Sequence, residues 1–124
     1  MKTKNILITG GCGFIGSNLV LHLAKKYPSY KLVNLDLMTY ASDASYLESL
    51  KDNPNYVFVK GDIRDEKLVN KLFDEHNIDS VIHLAAESHV DNSIKRPLDF
   101  VTTNVVGTCV LLEAFRNKGN GRFH

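Results

Sequence analysis

The feature that most constrains this chain is the glycine-rich run Thr9-Gly10-Gly11-Cys12-Gly13-Phe14-Ile15-Gly16, which directly follows the apolar stretch Ile6-Leu7-Ile8. The apolar stretch predicts a strand, and the pattern after the run predicts a helix. Glycine permits a tight turn and lets a diphosphate approach where a Cβ would clash. The first N–H groups and the positive dipole end of the following helix favour an anion. The run therefore indicates a dinucleotide-binding turn built on Gly10, Gly13 and Gly16.

A second apolar run ends in an acidic residue. Leu32-Val33-Asn34-Leu35 is followed by Asp36, about twenty positions beyond Gly16. A carboxylate there can accept hydrogen bonds from the adenosine ribose hydroxyls of NAD. It would also repel the 2′-phosphate of NADP, by about 1–4 kcal/mol at a partly exposed position. The alternative is that Asp36 merely caps the end of the strand. We predict a site for NAD rather than NADP.

Strand and helix patterns alternate along the chain. We predict strands at 5–9, 31–36, 56–60 and 80–84, and helices at 13–26, 46–51, 65–76 and 98–117, with Asp65 as an N-cap. Residues 122–124 are predicted to begin a fifth strand. Strands joined by crossover helices form a parallel sheet that is covered on both faces. The predicted fold class is α/β, a doubly wound parallel sheet of the Rossmann type that is truncated after about four strands.

This fold carries expectations about packing. Strand one should lie between strands two and four. Strand four should be an exposed edge, because the chain stops where a fifth strand would pair with it. The helices should turn their regularly spaced apolar residues inward. These residues are Ile15, Leu19 and Leu23 in the first helix, Leu68, Val69, Leu72 and Phe73 in the third, and Val101, Val105, Leu112 and Phe115 in the last.

Composition limits the class of protein. The chain has 124 residues, of which 44% are hydrophobic and 23% charged, as in one soluble globular domain at most. The net charge of +1 gives no reason to expect nucleic acid or an anionic membrane surface as a partner. No apolar run approaches the length of a membrane span. Cys12 and Cys109 are isolated, lack metal-ligand spacing and fit a reducing cytoplasm. We predict a cytoplasmic protein with no metal.

The segment after the fourth strand is rich in polar groups: His83-Leu84-Ala85-Ala86-Glu87-Ser88-His89-Val90-Asp91. The small residues Ala85 and Ala86, at the carboxyl end of a strand, permit close packing of a cofactor. Three alternatives remain open here. His83 is also explained as a satisfied core histidine and Ser88 as a helix N-cap, and His89 and Asp91 could be solvated.

Taken together, the glycine-rich run, the stretch Asp36–Ala41, the pair Asp62-Ile63 and the segment Leu84–Ile94 resemble dTDP-glucose 4,6-dehydratase, a family of the extended short-chain dehydrogenase/reductase superfamily. The resemblance covers essentially the whole chain and about the amino-terminal third of such an enzyme. It implies that residues 1–124 are the amino-terminal part of an NAD-binding Rossmann domain and that the substrate domain is absent.

The resemblance also implies a set of site residues. The diphosphate would contact Gly10, Gly13, Phe14, Ile15 and Gly16. The ribose would contact Asp36, with Leu37, Met38 and Thr39 around it, and the adenine would lie between Asp62 and Ile63. The rest of the cofactor would be lined by Leu84, Ala85, Ala86, Glu87, Ser88 and Thr103, and Ser88 would also reach the hexose of the substrate. Asn92 departs from the arginine that the family usually has, which puts sugar-nucleotide affinity there in doubt.

The chemistry of the family is a borrowed hydride that converts dTDP-glucose to dTDP-4-keto-6-deoxyglucose. NAD oxidises C4 of the hexose, water leaves across C5 and C6, and the hydride returns to C6. The family uses a Tyr-x-x-x-Lys pair as the base and a Thr-Asp-Glu cluster to handle the water. This chain lacks both; Tyr27 and Lys31 have the spacing but straddle Pro28 at a helix end. By this resemblance the chain is part of a lyase and is inactive alone.

Two other readings stay open, namely a nucleotide-sugar 4-epimerase fragment and a non-catalytic NAD-binding module. The resemblance further implies a dTDP-sugar substrate for the complete enzyme and a homodimer formed through helices that include 98–117.

Overall fold

The computed structural model describes residues 4–38, 44–86 and 94–124. Within them, four parallel strands form one sheet: β1 Asn5–Thr9, β2 Lys31–Asp36, β3 Tyr56–Lys60 and β4 Ser80–His83. The order across the sheet is β3-β2-β1-β4, so the predicted place of strand one between strands two and four is confirmed. The central strands β1 and β2 are aliphatic and almost wholly buried, as expected when helices cover both faces of a parallel sheet.

The register of the sheet places the ends of all four described strands side by side. Thr9 at the end of β1 pairs with Leu35 on one side and with His83 on the other. Asp36 pairs with Lys60 at the end of β3. All the turns that follow the strands therefore leave from one edge of the sheet, which is where ligands bind in open α/β folds.

In residues 4–38, 44–86 and 94–124, a helix follows each strand, close to the predicted position. These helices are α1 Phe14–Lys26, the 3₁₀ helix Ala44–Leu50, α2 Glu66–His76 and α3 Pro97–Lys118. The predicted N-cap of α2 is confirmed, since Asp65 Oδ1 accepts a hydrogen bond from the Leu68 N–H at 3.1 Å. The α2 helix ends at Asn77, whose φ of 50° is left-handed, a common stop for a helix.

Each face of the sheet carries its own hydrophobic core. On one face, Ile6, Ile8 and Leu32 pack with Val20 of α1 and with Leu47 and Leu50 of the 3₁₀ helix. On the other face, Leu7, Val33 and Leu35 pack with buried residues of α2 and α3, which include Val69, Leu72, Phe73, Leu111 and Ala114. The doubly wound α/β class is confirmed by these two cores.

The predicted inner face of α1 is confirmed at Leu23, which packs against the core, but wrong at Ile15. Ile15 is 71% exposed, and the buried residues are Gly16, Ser17 and Val20. A Cβ at Gly16 would overlap the Gly10 carbonyl oxygen, so the helix can lie this close to the turn only with glycine facing inward. This close approach rotates Ile15 out to the surface.

The predicted inner face of α3 is also wrong in three of its four residues. Val101, Val105 and Leu112 are 45–55% exposed, whereas Gly107, Leu111 and Ala114 are buried. The helix contains a π segment, Thr102–Gly107, which winds with more residues per turn and breaks the regular 3.6-residue spacing that the prediction assumed.

By length and composition, α3 is the one helix of the described residues that could cross a membrane. This helix contradicts the prediction that no apolar run approaches the length of a membrane span. The prediction rests on uninterrupted apolar runs, whereas α3 mixes threonine, glycine and asparagine among valines and leucines. In this fold Leu111 and Ala114 of α3 belong to the core beneath the helix.

Residues 122–124 run along the outer edge of β4. The Val81 N–H donates to Arg122 O at 2.8 Å, and the His124 N–H donates to Val81 O at 2.9 Å. Phe123 forms a parallel bridge with Val81, and its ring packs against Phe115 with centroids 5.7 Å apart. The predicted start of a fifth strand is confirmed. The expectation of an exposed β4 edge is wrong, because these residues cover it.

Candidate functional site

The glycine loop (residues 10–13) and the turn after β4 touch at the carboxyl edge of the sheet. Gly10 has a φ of 73°, which side chains rarely adopt, and its N–H donates to Leu35 O at 3.0 Å. A Cβ at Gly10 would lie 2.8 Å from the Ala85 backbone nitrogen. Glycine is therefore required here by the chain itself, and the two turns form one surface.

The start of α1 offers unpaired donors at this surface. Gly13 is the N-cap, no side chain caps the helix, and its first turn carries no acidic residue. Among the described residues no acceptor is present for the N–H groups of Phe14, Ile15 and Gly16. These are groups for which an α-helix has no carbonyl partner of its own, and they favour a bound anion.

Asp36 lies directly under the glycine loop. Its Oδ2 accepts a hydrogen bond from the Cys12 N–H at 2.9 Å, and its Oδ1 accepts one from the Met38 N–H at 2.7 Å. The carboxylate is 6% exposed, and Met38 turns the chain with a φ of 62°. The predicted ribose ligand thus also braces the loop. The strand-cap alternative describes part of its role, since it holds the turn that follows β2.

The end of β3 lies beside Asp36, because the Gly61 N–H donates to Asp36 O at 3.1 Å. The next residue, Asp62, is paired with Arg64: Nη2 lies 2.6 Å from Oδ2, and the Arg64 N–H donates to Oδ1 at 2.9 Å. These hydrogen bonds hold the pKa of the Asp62 carboxyl below its usual value. Arg64 is not among the residues predicted from the sequence, because its role depends on this pairing in the folded chain.

Ile63 is 4% exposed and packs against Gly107 of α3, where a Cβ would overlap the Ile63 side chain. Its side chain is part of the core, so its predicted apolar contact with adenine stays a prediction. The Arg64 guanidinium also donates through Nη1 to Thr102 Oγ1 at 2.9 Å. This bond ties the β3 turn to the π segment on which the predicted cofactor residue Thr103 lies, half-buried.

Thr9 fastens the turn after β4. Its Oγ1 accepts hydrogen bonds from the N–H groups of Leu84 and Ala85, both at 3.1 Å. The same hydroxyl lies 2.6 Å from His83 Nδ1. Because the hydroxyl already accepts two bonds, its own proton goes to Nδ1, which must then be unprotonated.

The second ring nitrogen of His83 completes the network. Nε2 lies 2.8 Å from Thr108 Oγ1, which donates to Asn104 O at 2.8 Å. Thr108 therefore accepts from Nε2–H, and the ring is the neutral Nε2–H tautomer. Burial lowers the pKa of His83 in agreement with this state. The structure supports the reading of His83 as a satisfied histidine and gives it a place beside the site.

The other predicted residues are placed as follows. Leu84 and Leu37 are 36% and 41% exposed at the mouth of the site, and Ala86, two residues after Leu84, is also exposed. The predictions for Thr39, Glu87, Ser88, His89, Asp91 and Asn92 lie outside the described residues.

Sequence reasoning missed Asn34, which was counted as a member of an apolar run. Its side chain is fully buried beneath the glycine loop, and Oδ1 accepts a hydrogen bond from the Gly11 N–H at 3.0 Å. The available signal was an amide in the middle of an otherwise aliphatic strand, since a buried polar side chain needs partners.

Chemically, the edge combines free N–H donors at a helix start with a fixed carboxylate nearby. The donors suit an anionic diphosphate, and a carboxylate suits ribose hydroxyls. No group of His, Cys, Asp and Glu side chains suited to a metal ion is found in residues 4–38, 44–86 and 94–124.

The same region matches known proteins. A family model described as GDP-mannose 4,6 dehydratase matches residues 7–124. The chain belongs to this family. Within the GDP-mannose 4,6 dehydratase family, it is 52% identical over 111 residues to a dTDP-glucose 4,6-dehydratase of Xanthomonas campestris, which covers 90% of this chain and 31% of that protein. It is 48% identical over 121 residues to a trifunctional UDP-glucose 4,6-dehydratase of Arabidopsis thaliana, covering 98% of this chain and 18% of that protein.

Solved structures from related enzymes match this family member closely. The dTDP-glucose 4,6-dehydratase of Streptomyces venezuelae, crystallised with NAD bound, is 41% identical with a TM-score of 0.87, covering 96% of this chain and 38% of that one. The UDP-glucose 4-epimerase of Thermotoga maritima is 34% identical with a TM-score of 0.85, covering 96% and 36%. The resemblance to dTDP-glucose 4,6-dehydratase is confirmed. The chain spans less than two fifths of the length of these relatives.

Proposed function

We propose that this chain is the NAD-binding part of a sugar-nucleotide dehydratase that acts on dTDP-glucose. The observation that carries the proposal is the pairing of three N–H groups without acceptors at the start of α1 with the buried Asp36 carboxylate beside them. The Streptomyces venezuelae relative, 41% identical, was crystallised with NAD.

In this proposal each turn contacts one part of NAD. The glycine loop and the start of α1 bind the diphosphate, Asp36 accepts from the ribose hydroxyls, and the β3 turn at Asp62 borders the adenine. The turn after β4 lies along the remainder of the cofactor, fastened by Thr9. When bound, NAD supplies the hydride acceptor of the dehydratase reaction, and these residues bind and orient it.

The test is calorimetric titration of the 124-residue chain with NAD and with NADP. We expect saturable binding of NAD, and binding of NADP weaker by about fivefold or more, because repulsion of the 2′-phosphate by Asp36 is worth about 1–4 kcal/mol. Absence of saturable NAD binding, or equal affinity for the two, would contradict the proposal.

Asp36→Ala separates the two roles of this carboxylate. Losing the acceptor for the Cys12 and Met38 N–H groups should weaken NAD and NADP alike, whereas losing the charge should bring the ratio of their dissociation constants towards one. Glu75→Gln, which neutralises an exposed carboxylate on α2, is the matched control and should leave both constants unchanged.

The proposal also makes a prediction about dehydratase activity. The chain alone should give no 4-keto product from dTDP-glucose, because it lacks the Tyr-x-x-x-Lys and Thr-Asp-Glu groups. A 4-keto product formed by the pure chain would refute this.

The Thermotoga maritima epimerase structure supports a second candidate function, part of a nucleotide-sugar 4-epimerase. Products formed by a longer protein carrying this sequence, a 4-keto-6-deoxy sugar or a C4 epimer, distinguish the two.

We further propose a homodimer that pairs the outer face of α3. Leu98, Val101, Val105 and Leu112 on this helix are 45–76% exposed, which is unusual for a single helix of a soluble monomer. Sedimentation of the chain should show a dimer, and Val105→Lys should shift it to monomer. A wild-type chain that stays monomeric at high concentration would argue against this face.

A further inference from the structure

Asn34 occupies the centre of β2 with a side chain that is 0% exposed, between the aliphatic neighbours Val33 and Leu35. Side chains alternate along a strand, so Asn34 and Asp36 lie on the same face of the sheet, towards the glycine loop. An amide buried without partners would cost about 1–3 kcal/mol, so its hydrogen bonds decide why it is there.

The amide of Asn34 uses all three of its hydrogen-bonding groups. Oδ1 accepts from the Gly11 N–H at 3.0 Å, and Nδ2 donates to Tyr56 Oη at 3.1 Å and to Cys12 Sγ at 3.4 Å. The orientation is fixed because the Gly11 N–H can only donate, so the oxygen must face it. Burial raises the pKa of Tyr56, which keeps its hydroxyl protonated.

Two alternate residues of β2 thus bind two successive N–H groups of the glycine loop. Asn34 binds that of Gly11, and Asp36 binds that of Cys12. The approach is close, since a Cβ at Gly11 would lie 2.5 Å from Asn34 Cγ. The N–H groups of Gly11 and Cys12 are therefore bonded to the sheet. The N–H groups of Phe14, Ile15 and Gly16, at the start of α1, remain available for a ligand.

We propose that Asn34 is a positioning residue for the diphosphate site: its amide fixes the glycine loop on β2 and does not itself touch the cofactor. This inference rests on the proposed NAD function and adds to it a residue in the layer beneath the loop. It requires an amide and not merely a side chain of this size, because only an amide offers both the acceptor for Gly11 and the donors for Tyr56 and Cys12.

The test compares three variants of the ¹⁵N-labelled chain. Asn34→Leu keeps the size but removes every hydrogen bond, and Tyr56→Phe removes one partner of Nδ2 and leaves the bond to Gly11. Val33→Ala is the matched control for lost stability, because Val33 is buried on the same strand but faces the opposite core. Each is titrated with NAD and with adenosine, which lacks the diphosphate, and amide exchange is measured at Gly11 and Cys12.

We expect Asn34→Leu to weaken NAD binding by about tenfold, the equivalent of one unsatisfied buried donor. Its affinity for adenosine should change much less, and exchange of the Gly11 amide should accelerate. Tyr56→Phe should change both quantities in the same direction but less. Val33→Ala should unfold more easily and yet keep the wild-type NAD affinity and the wild-type Gly11 exchange.

Wild-type NAD affinity and Gly11 exchange in Asn34→Leu would overturn the inference, as would equal losses for NAD and adenosine. If Asn34→Leu fails to fold, Tyr56→Phe decides, and a Tyr56→Phe chain identical to wild type overturns it. If the wild-type chain does not bind NAD, the proposed function fails and takes the diphosphate role of Asn34 with it. Gly11 exchange then still decides whether the amide fixes the loop.

Discussion

The glycines of the loop differ in what they are needed for, and two alanine substitutions separate these needs. A Cβ at Gly16 would overlap the Gly10 carbonyl oxygen and lie 2.8 Å from Gly11 Cα, whereas a Cβ at Gly13 would meet only the Gly10 oxygen, at an ordinary 3.4 Å. Gly16→Ala should therefore strain the folded chain, and Gly13→Ala should not.

The magnitudes follow from these contacts. Overpacking of backbone against backbone costs about 1–3 kcal/mol, which we expect Gly16→Ala to lose in the free energy of unfolding. Gly13 has a φ of −75°, which alanine adopts freely. The gain of about 0.4–1 kcal/mol from a less flexible unfolded chain then offsets the poorer N-cap, so Gly13→Ala should stay within about 0.5 kcal/mol of wild type.

Urea unfolding followed by circular dichroism measures both values, and titration with NAD completes the test. Gly13→Ala should fold normally yet bind NAD about tenfold more weakly or worse, because its new methyl group, which meets only the Gly10 oxygen, lies where the diphosphate is proposed to bind. A Gly16→Ala chain as stable as wild type, or a Gly13→Ala chain that loses as much stability as Gly16→Ala, would refute the steric reasoning.

Further predictions concern the pH dependence of stability, the pKa of Asp62 and the packing of Phe123 on the edge of β4. Burial lowers the pKa of His83, so its contribution to stability should be full above about pH 6.5 and should decline as the pH falls towards the pKa of His83 in the folded chain. In urea unfolding, His83→Asn should flatten this dependence of stability on pH. The remaining dependence should come from His76, whose pKa is also lowered by burial. Arg64→Met should return the Asp62 carboxyl towards its ordinary pKa in ¹³C NMR. The Asp62–Arg64 pair is partly exposed, so it should add less than about 1 kcal/mol to the free energy of unfolding. This contribution is present above the ordinary pKa of a carboxyl group and is lost as the pH falls through the lowered pKa of Asp62. Phe123→Ala should lower the free energy of unfolding by about 1–3 kcal/mol, because its ring is packed over the β4 edge.

Each of these has a contrary result. A wild-type slope in His83→Asn would mean that His83 is not held neutral. An unchanged Asp62 titration in Arg64→Met would mean that the ion pair does not persist in solution. Unchanged stability of Phe123→Ala would mean that residues 122–124 leave the edge of β4 free.

The parts of the fold that depend on local sequence could be predicted. Aliphatic, β-branched and aromatic runs predicted the four strands of the described residues, and Asp65 predicted the start of α2, because both depend on a few neighbouring residues. The inner face of α2 was also predicted correctly, since Val69, Leu72 and Phe73 are buried and Leu68 packs on the same core. The inner faces of α1 and α3 could not be predicted in full, since they depend on contacts between distant residues. Ile15 is outside because Gly16 must touch Gly10, and Val105 is outside because a π segment turns α3.

The candidate site likewise contains residues that could be predicted from the sequence and residues that could not. Gly10 and Asp36 follow strands at recognisable spacings, and the structure brings both to one edge. Asn34 and Arg64 carry no such spacing. The importance of Asn34 depends on which face of β2 meets the glycine loop, and that of Arg64 depends on α3 passing close enough for its bond to Thr102.

The hydroxyl of Thr9 binds a turn that lies 75 and 76 residues further along the chain. A contact between such distant positions closes late in folding, because the loop entropy must be overcome first. A chain in which β4 has not yet docked on β1 therefore lacks the turn after β4, which is part of the surface proposed for NAD. A ligand that binds only the completed sheet stabilises it by mass action, so the cofactor would select finished molecules over partly folded ones.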